Sequence, residues 1–156
     1  MKSLIPCLWF DDQAEQAAKF YAGIFEGSKI GKVTRYSSDA PGGKKKGDVL
    51  TVEIKLRGQP YLLLNGGPIF HFTEAVSFIV NCKDQAEIDR FWSKLSKGGE
   101  PGVCGWLKDR FGLSWQVVPE ELPKLMHGKN GGQVMAALMK MKKLNLATLR
   151  RASQGK

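Results

Sequence analysis

The chain has 156 residues, of which 42% are apolar and 10% aromatic, enough apolar surface to offset the entropy of ordering and so to exclude a disordered chain. No apolar run approaches the ~20 residues of a membrane-spanning helix. The net charge of +9 is concentrated in the tail: from Leu122 onward there are eight Lys and Arg and no Asp or Glu, so the preceding 121 residues are close to neutral.

The first apolar run, Leu4 to Phe10, reads as a strand and stops at Asp11-Asp12. It is too short for a signal-peptide core with a cleavage site, so a cytoplasmic protein is expected. Three cysteines without CxxC spacing (Cys7, Cys82, Cys104) read as buried thiols in a reducing compartment rather than as a disulfide or zinc framework. A helix follows, with Asp12 as its expected N-cap, Glu15 three residues on, and Ala14, Ala17, Ala18, Tyr21 and Phe25 at helical spacing. Lys32 to Ser37 reads as a weak strand. Ser38 to Gly47, rich in Gly and Lys, reads as a mobile, solvated hairpin loop. Asp48 to Arg57 alternates, with Leu50, Val52, Ile54 and Leu56 on one face and Thr51, Glu53, Lys55 and Arg57 on the other. A tight turn at Arg57-Gly58-Gln59 leads into the strand Tyr61 to Asn65.

The pattern then repeats. Asp12-Gln13-Ala14-Glu15 recurs as Asp84-Gln85-Ala86-Glu87, preceded by an apolar run, Ala75 to Cys82, and followed by Phe91-Trp92 where the first copy has Phe20-Tyr21. Four identities with matching flanks indicate a duplicated half-domain. The second helix has Asp84 as cap, Glu87 completing a capping box, and Ile88, Phe91, Trp92 and Leu95 as its apolar stripe. Val103 to Lys108 and Leu113 to Val118 form a hairpin around Asp109-Arg110-Phe111-Gly112. Helices are expected from about Asn130 to Met141 and from Asn145 to Ala152. The fold class is α+β with mostly antiparallel sheet: βαβββ twice (residues 1–66 and 74–119), then a helical tail over 120–156.

Most familiar chemistry is absent. There is no GxGxxG of the kind that holds nucleotides or methyl donors, no P-loop spacing and no GxSxG elbow. The two histidines, His71 and His127, lie in the linker and the tail, so no metal site and no cofactor are expected. The basic tail lacks interleaved aromatics and Gly-Arg repeats, so it reads as a charged helical surface in preference to a nucleic-acid accessory element. Asn65 and Gln116 are polar residues on apolar strands. With Trp9, Phe78 and Trp106 they form the candidate small-molecule pocket, a few polar groups among aromatic walls.

Several segments carry a family resemblance: Pro6-Cys7-Leu8-Trp9-Phe10-Asp11, Leu64-Asn65-Gly66-Gly67-Pro68, Phe72-Thr73-Glu74-Ala75-Val76-Ser77-Phe78, Cys104-Gly105-Trp106-Leu107-Lys108-Asp109 and Phe111-Gly112-Leu113-Ser114-Trp115-Gln116. Together with the duplication they resemble the PhnB-like family, labelled 3-demethylubiquinone-9 3-methyltransferase, within the vicinal oxygen chelate superfamily of glyoxalase I and the bleomycin-resistance proteins. The stretch Met135 to Leu144 also resembles the family's tail, so the likeness is expected to span nearly the whole chain. The resemblance implies two sheets, each lining a cavity with its concave face, and a symmetric homodimer. Metal-binding positions of the superfamily map near Ile5, Asn65, Ala75 and Gln116, none of them His, Asp or Glu. The implied function is small-molecule binding in a metal-free cavity, with the labelled methyl transfer as the alternative.

Overall fold

The computed structural model describes residues 4–156. The chain divides into two compact units, the first ending at Phe72 and the second running from Thr73 to Lys156. In the first unit, β1 (Cys7–Phe10), α1 (Ala14–Ile24), β2 (Lys29–Arg35), β3 (Val49–Leu56) and β4 (Gln59–Asn65) give a sheet in the order β1-β4-β3-β2. The β1–β4 pair is parallel and the other two are antiparallel. The sheet is therefore mixed. Helix α1 packs across β2, β3 and β4, and alternation decides what lies beneath it. Leu8, Phe10, Val52, Ile54, Leu56 and Leu63 are buried together with Ala14, Ala17, Ala18, Tyr21 and Ile24 of the helix. The other face of the sheet carries Cys7, Trp9, Thr51, Glu53, Lys55, Leu62 and Leu64 and has no helix of its own unit upon it.

Three local expectations change here. Helix α1 starts at Ala14, with Gln13 at the N-cap and no capping side chain from its own segment. The free amide of Ala14 is satisfied instead by Asn65 Oδ1 at 2.8 Å, so the cap comes from β4 rather than from Asp12. The weak strand is displaced, with β2 at Lys29–Arg35. The 38–47 loop is less solvated than its composition implies, because Lys44 is 7% exposed. Its ammonium donates to the Asp11 carbonyl at 2.6 Å and pairs with the Asp11 carboxylate at 3.3 Å.

The second unit repeats the plan with β5 (Ser77–Cys82), α2 (Gln85–Leu95), β6 (Glu100–Pro101), β7 (Trp106–Lys108) and β8 (Ser114–Pro119), in the sheet order β5-β8-β7-β6. Again the outer pair, β5–β8, is parallel. Helix α2 is capped as expected: Asp84 Oδ1 accepts from Glu87 N at 2.9 Å, while Glu87 Oε2 accepts from Lys83 N, one residue before the cap. Ile88, Phe91 and Leu95 are fully buried or nearly so, worth about 1.5–3 kcal/mol for each large side chain. Asp109 organises the hairpin from inside. Its carboxylate accepts from Phe111 N, Leu113 N and the Trp115 indole at 2.8, 3.1 and 2.8 Å, which fixes both the turn and the helix-side face of β8.

The expected strand Val103 to Lys108 is broken. Cys104 and Gly105 have φ of 58° and 81°, a turn conformation, and β7 begins only at Trp106. This turn carries the tail. Cys104 N donates to Met141 O at 2.7 Å and Gly105 N to Lys142 O at 2.9 Å. A side chain at residue 105 would lie 2.7 Å from Val117 O and 3.1 Å from Leu144, so only glycine fits.

The tail itself has three helices where two are expected: α3 (Leu122–Met126), α4 (Gly131–Leu138) and α5 (Leu146–Ser153). Pro123 sits in the first turn of α3, where its missing N–H costs nothing. Val134, Leu138, Leu144, Leu149 and Ala152 form a core of their own, against which Cys104, Val118 and Leu122 pack.

Candidate functional site

Strand alternation sorts the candidate residues by face. Trp9 stands on the open face of the first sheet, beside Leu64 in register. Its indole N–H donates to Gly67 O at 2.8 Å, and its ring meets Phe70 edge-on at 5.0 Å. A Cβ at Gly66 would lie 2.2 Å from that ring, so the Trp9 orientation depends on glycine there. Asn65 points the other way. Buried to 4% exposure, it caps α1 and donates from Nδ2 to Val49 O at 3.1 Å, so its amide is occupied by structure. In the second unit Gln116 pairs in register with Trp106 on one side and Ile79 on the other, on the open face. Gln116 Nε2 donates to Ser77 Oγ at 2.9 Å. Phe78 lies on the opposite face, its ring 5.4 Å from that of Trp115. The five residues are thus not one cluster: Trp106 and Gln116 are neighbours, Trp9 lies on the other unit's sheet, and Asn65 and Phe78 belong to the helix-side faces.

The superfamily's metal positions are resolved in the same way. On the open faces β1 offers Cys7 and Trp9, β4 offers Leu62 and Leu64, β5 offers Ser77 and Ile79, and β8 offers Gln116. Ala75 precedes β5, and Asn65 faces α1. A thiol, a hydroxyl and a neutral amide among apolar side chains do not fit a divalent ion, which takes imidazole and carboxylate ligands. Among the described residues no three His, Cys, Asp or Glu side chains converge in a metal-holding group. Of the three thiols expected to be buried only Cys82 is; Cys104 is half-buried, and Cys7, on the open face, is exposed, although partial desolvation still pushes its thiol above its ordinary value and disfavours the thiolate a metal would need.

The open face of the first sheet holds a cavity of about 720 Å³, within the ~300–1,000 Å³ of small-molecule sites. Its apolar wall is Ile5, Pro60 and Leu62; Lys29, Glu53 and Lys55 supply charge. Lys29 and Lys55 face each other directly across β2–β3, a like-charge pair that costs stability where it stands. Glu53 has no ion-pair partner among the described residues, so the lysine pair is not neutralised by a contact with it. A Cβ at Gly31 would come within 3.2 Å of Glu53 Cβ, and the missing side chain leaves that end of the cavity open. Tyr61 also lines it, and burial raises its phenol above the ordinary value, so it stays neutral. Sequence reasoning missed Lys29, Glu53 and Lys55 because the polar face of an alternating strand reads as solvated. The usable signal was two lysines placed to meet across one strand pair.

Two four-stranded mixed sheets, each with a parallel outer pair and one helix, define the vicinal oxygen chelate class of fold. The model of the family described as 3-demethylubiquinone-9 3-methyltransferase matches residues 2–118. The chain belongs to this PhnB-like family. A PhnB protein from Bacillus cereus that carries the same methyltransferase description is 32% identical, with a TM-score of 0.66, covering 76% of this chain and 99% of its own. Protein PA1353 from Pseudomonas aeruginosa shares the fold at 19% identity and a TM-score of 0.63, covering 77% and 98%. The fosfomycin resistance protein FosX from Listeria monocytogenes, solved with Mn(II) and sulfate, shares it at 15% identity and a TM-score of 0.50, covering 79% and 96%. No curated protein gives a significant match. The family match ends at residue 118, so the expected likeness of the tail is not supported, and α3, α4 and α5 lie beyond the matched region.

Proposed function

We propose that the protein binds a small apolar molecule carrying an anionic group, in the cavity on the open face of the first sheet. The observation that carries this reading is the lysine pair Lys29–Lys55 at a cavity of about 720 Å³ with an apolar wall, where two ammonium groups outnumber the single Glu53 carboxylate. An anion placed between two ammonium groups removes their mutual repulsion, and Ile5, Pro60 and Leu62 take up apolar surface at roughly 25 cal/mol per Å². Calorimetric titration with small aromatic and aliphatic carboxylates tests it. Saturable binding that is lost in Lys55→Glu is expected, and absence of binding across the panel would overturn it.

The family description favours one further reading, methyl transfer to a quinone-like substrate. Titration with S-adenosylmethionine separates the two, since tight binding of the methyl donor would support the description. The same reading expects a symmetric homodimer in the cytoplasm. The three free thiols are consistent with a reducing compartment, and no described helix is long and apolar enough to cross a membrane. Light scattering at micromolar concentration checks the dimer.

A further inference from the structure

Helix α4 is apolar on two sides. Val134 and Leu138 face the core of the tail, as an amphipathic helix requires. On the other side Gly132, Met135, Ala136 and Met139 follow the spacing i, i+3, i+4, i+7. All four are exposed, Met135 to 42% and Met139 to 65%. Packing within the chain does not account for the glycine in this second stripe. A Cβ at Gly131 would lie 2.0 Å from Met126 O, but one at Gly132 would meet nothing within 4 Å, and Gly132 has no positive φ. Glycine is a poor helix former, so its presence here relieves no clash while weakening the helix. Charge brackets the stripe: Lys129 precedes it, and Lys140 and Lys142 follow it. These three lysines are exposed and form no ion pair among the described residues, whereas Lys143 and Arg150 are paired with Asp89 and Glu121. No Asp or Glu follows Glu121 in the chain.

We propose that the exposed face of α4 docks an acidic amphipathic helix of a partner protein. Such a helix lays its apolar residues on Met135, Ala136 and Met139 and sets carboxylates against Lys129 at one end and Lys140 and Lys142 at the other. Gly132 and Ala136, four residues apart, let a second backbone approach closely, and the methionine side chains adapt to the partner's shape. Charge excludes a second copy of this chain on the same face, because lysines would meet lysines in either orientation. An anionic bilayer would attract the lysines but would gain nothing from a gap at Gly132, since interfacial helices bury large apolar side chains. The tail has its own core and lies beyond the matched family region, so this side of α4 is not needed to hold the two-sheet plan together. The inference does not depend on the cavity of the first sheet.

The test is a ¹H–¹⁵N NMR titration of the full chain with the synthetic peptide Glu-Glu-Leu-Ala-Gln-Leu-Leu-Ala-Gln-Leu-Glu-Glu, with its lysine-for-glutamate counterpart, and with a peptide of the same composition whose leucines are scrambled. Saturable shifts at Gly132, Met135, Ala136 and Met139 are expected with the first peptide alone. Met139→Glu and Gly132→Leu are each expected to weaken that binding about five- to tenfold, and Lys140→Glu about two- to fivefold. The sites are open to solvent, so the melting temperature of Gly132→Leu should be no lower than that of the parent. Absence of saturable shifts, equal binding of either control peptide, or unchanged binding in both Met139→Glu and Gly132→Leu would each overturn the proposal. Tighter association with phosphatidylserine vesicles than with the peptide, or loss of a dimer in Met139→Glu by light scattering, would do the same by assigning the face to a membrane or to a second copy.

Discussion

Asn65 ties three segments together: it caps α1, accepts β1 in register through Phe10, and holds the start of β3 through Val49 O. Asn65→Ala leaves the Ala14 amide and the Val49 carbonyl buried without partners. The expected cost is about 2–4 kcal/mol in urea unfolding, with no change in binding of a carboxylate by the folded variant. Asp109 has a comparable role on three donors. Asp109→Asn puts an NH₂ group among N–H groups, and the expected loss is about 2–4 kcal/mol, together with a changed Trp115 fluorescence. Both residues show what the sequence hides at this scale. A polar residue at the end of an apolar strand looks the same whether it serves a ligand or caps a helix distant in sequence. Asp109 reads as a turn residue from its neighbours, but nothing local reveals that it also receives the Trp115 indole.

At the scale of elements, the repeated strand–helix pattern and the alternation in β3 were legible because each depends on short-range periodicity. The α2 cap was legible too, since both partners lie within four residues. The α1 cap was not, because Asn65 is 51 residues from Ala14. Helix α3 was missed because it is five residues long and gives no apolar period. The tail is held by its own core and by the Cys104–Gly105 turn. Leu149→Ala, at a position with no exposure, is expected to cost about 2–5 kcal/mol. Gly105→Ala combines the positive φ with a contact to Val117 O and should release the tail, read as faster amide exchange at Cys104 and residue 105. The Glu74–Lys108 pair sets a pH signature. The Lys108 hydrogen bond holds the Glu74 carboxyl below its ordinary 4.5, and Glu74 holds Lys108 above its ordinary 10.5. The contribution of Glu74 is complete above pH 4.5 and fades as pH falls through its lowered folded value. That of Lys108 is complete below pH 10.5 and fades as pH rises through its raised one. An NMR titration of Glu74 should move back toward 4.5 in Lys108→Met, and the effect on stability should be small because the pair is exposed to solvent.

For the whole molecule, duplication turns one βαβββ plan into two sheets with different open faces, one bearing a lysine pair beside an apolar wall and one bearing the Glu74–Lys108 ion pair with Glu100 beside it. The shared fold came through in the sequence because it needs only pattern. The division of chemistry between the two faces did not, because face assignment depends on register between strands far apart in the chain. The central claim is the anionic apolar ligand on the first sheet. It is tested most directly by mass spectrometry of the small molecules released on denaturing natively purified protein, comparing the parent chain with Leu62→Trp and Gly31→Leu, which fill the cavity from its floor and its end without changing its charge. The expected result is a carboxylic or other anionic compound released by the parent and absent from both folded variants. Release of the same compounds by all three proteins, or of none by the parent, would contradict the account.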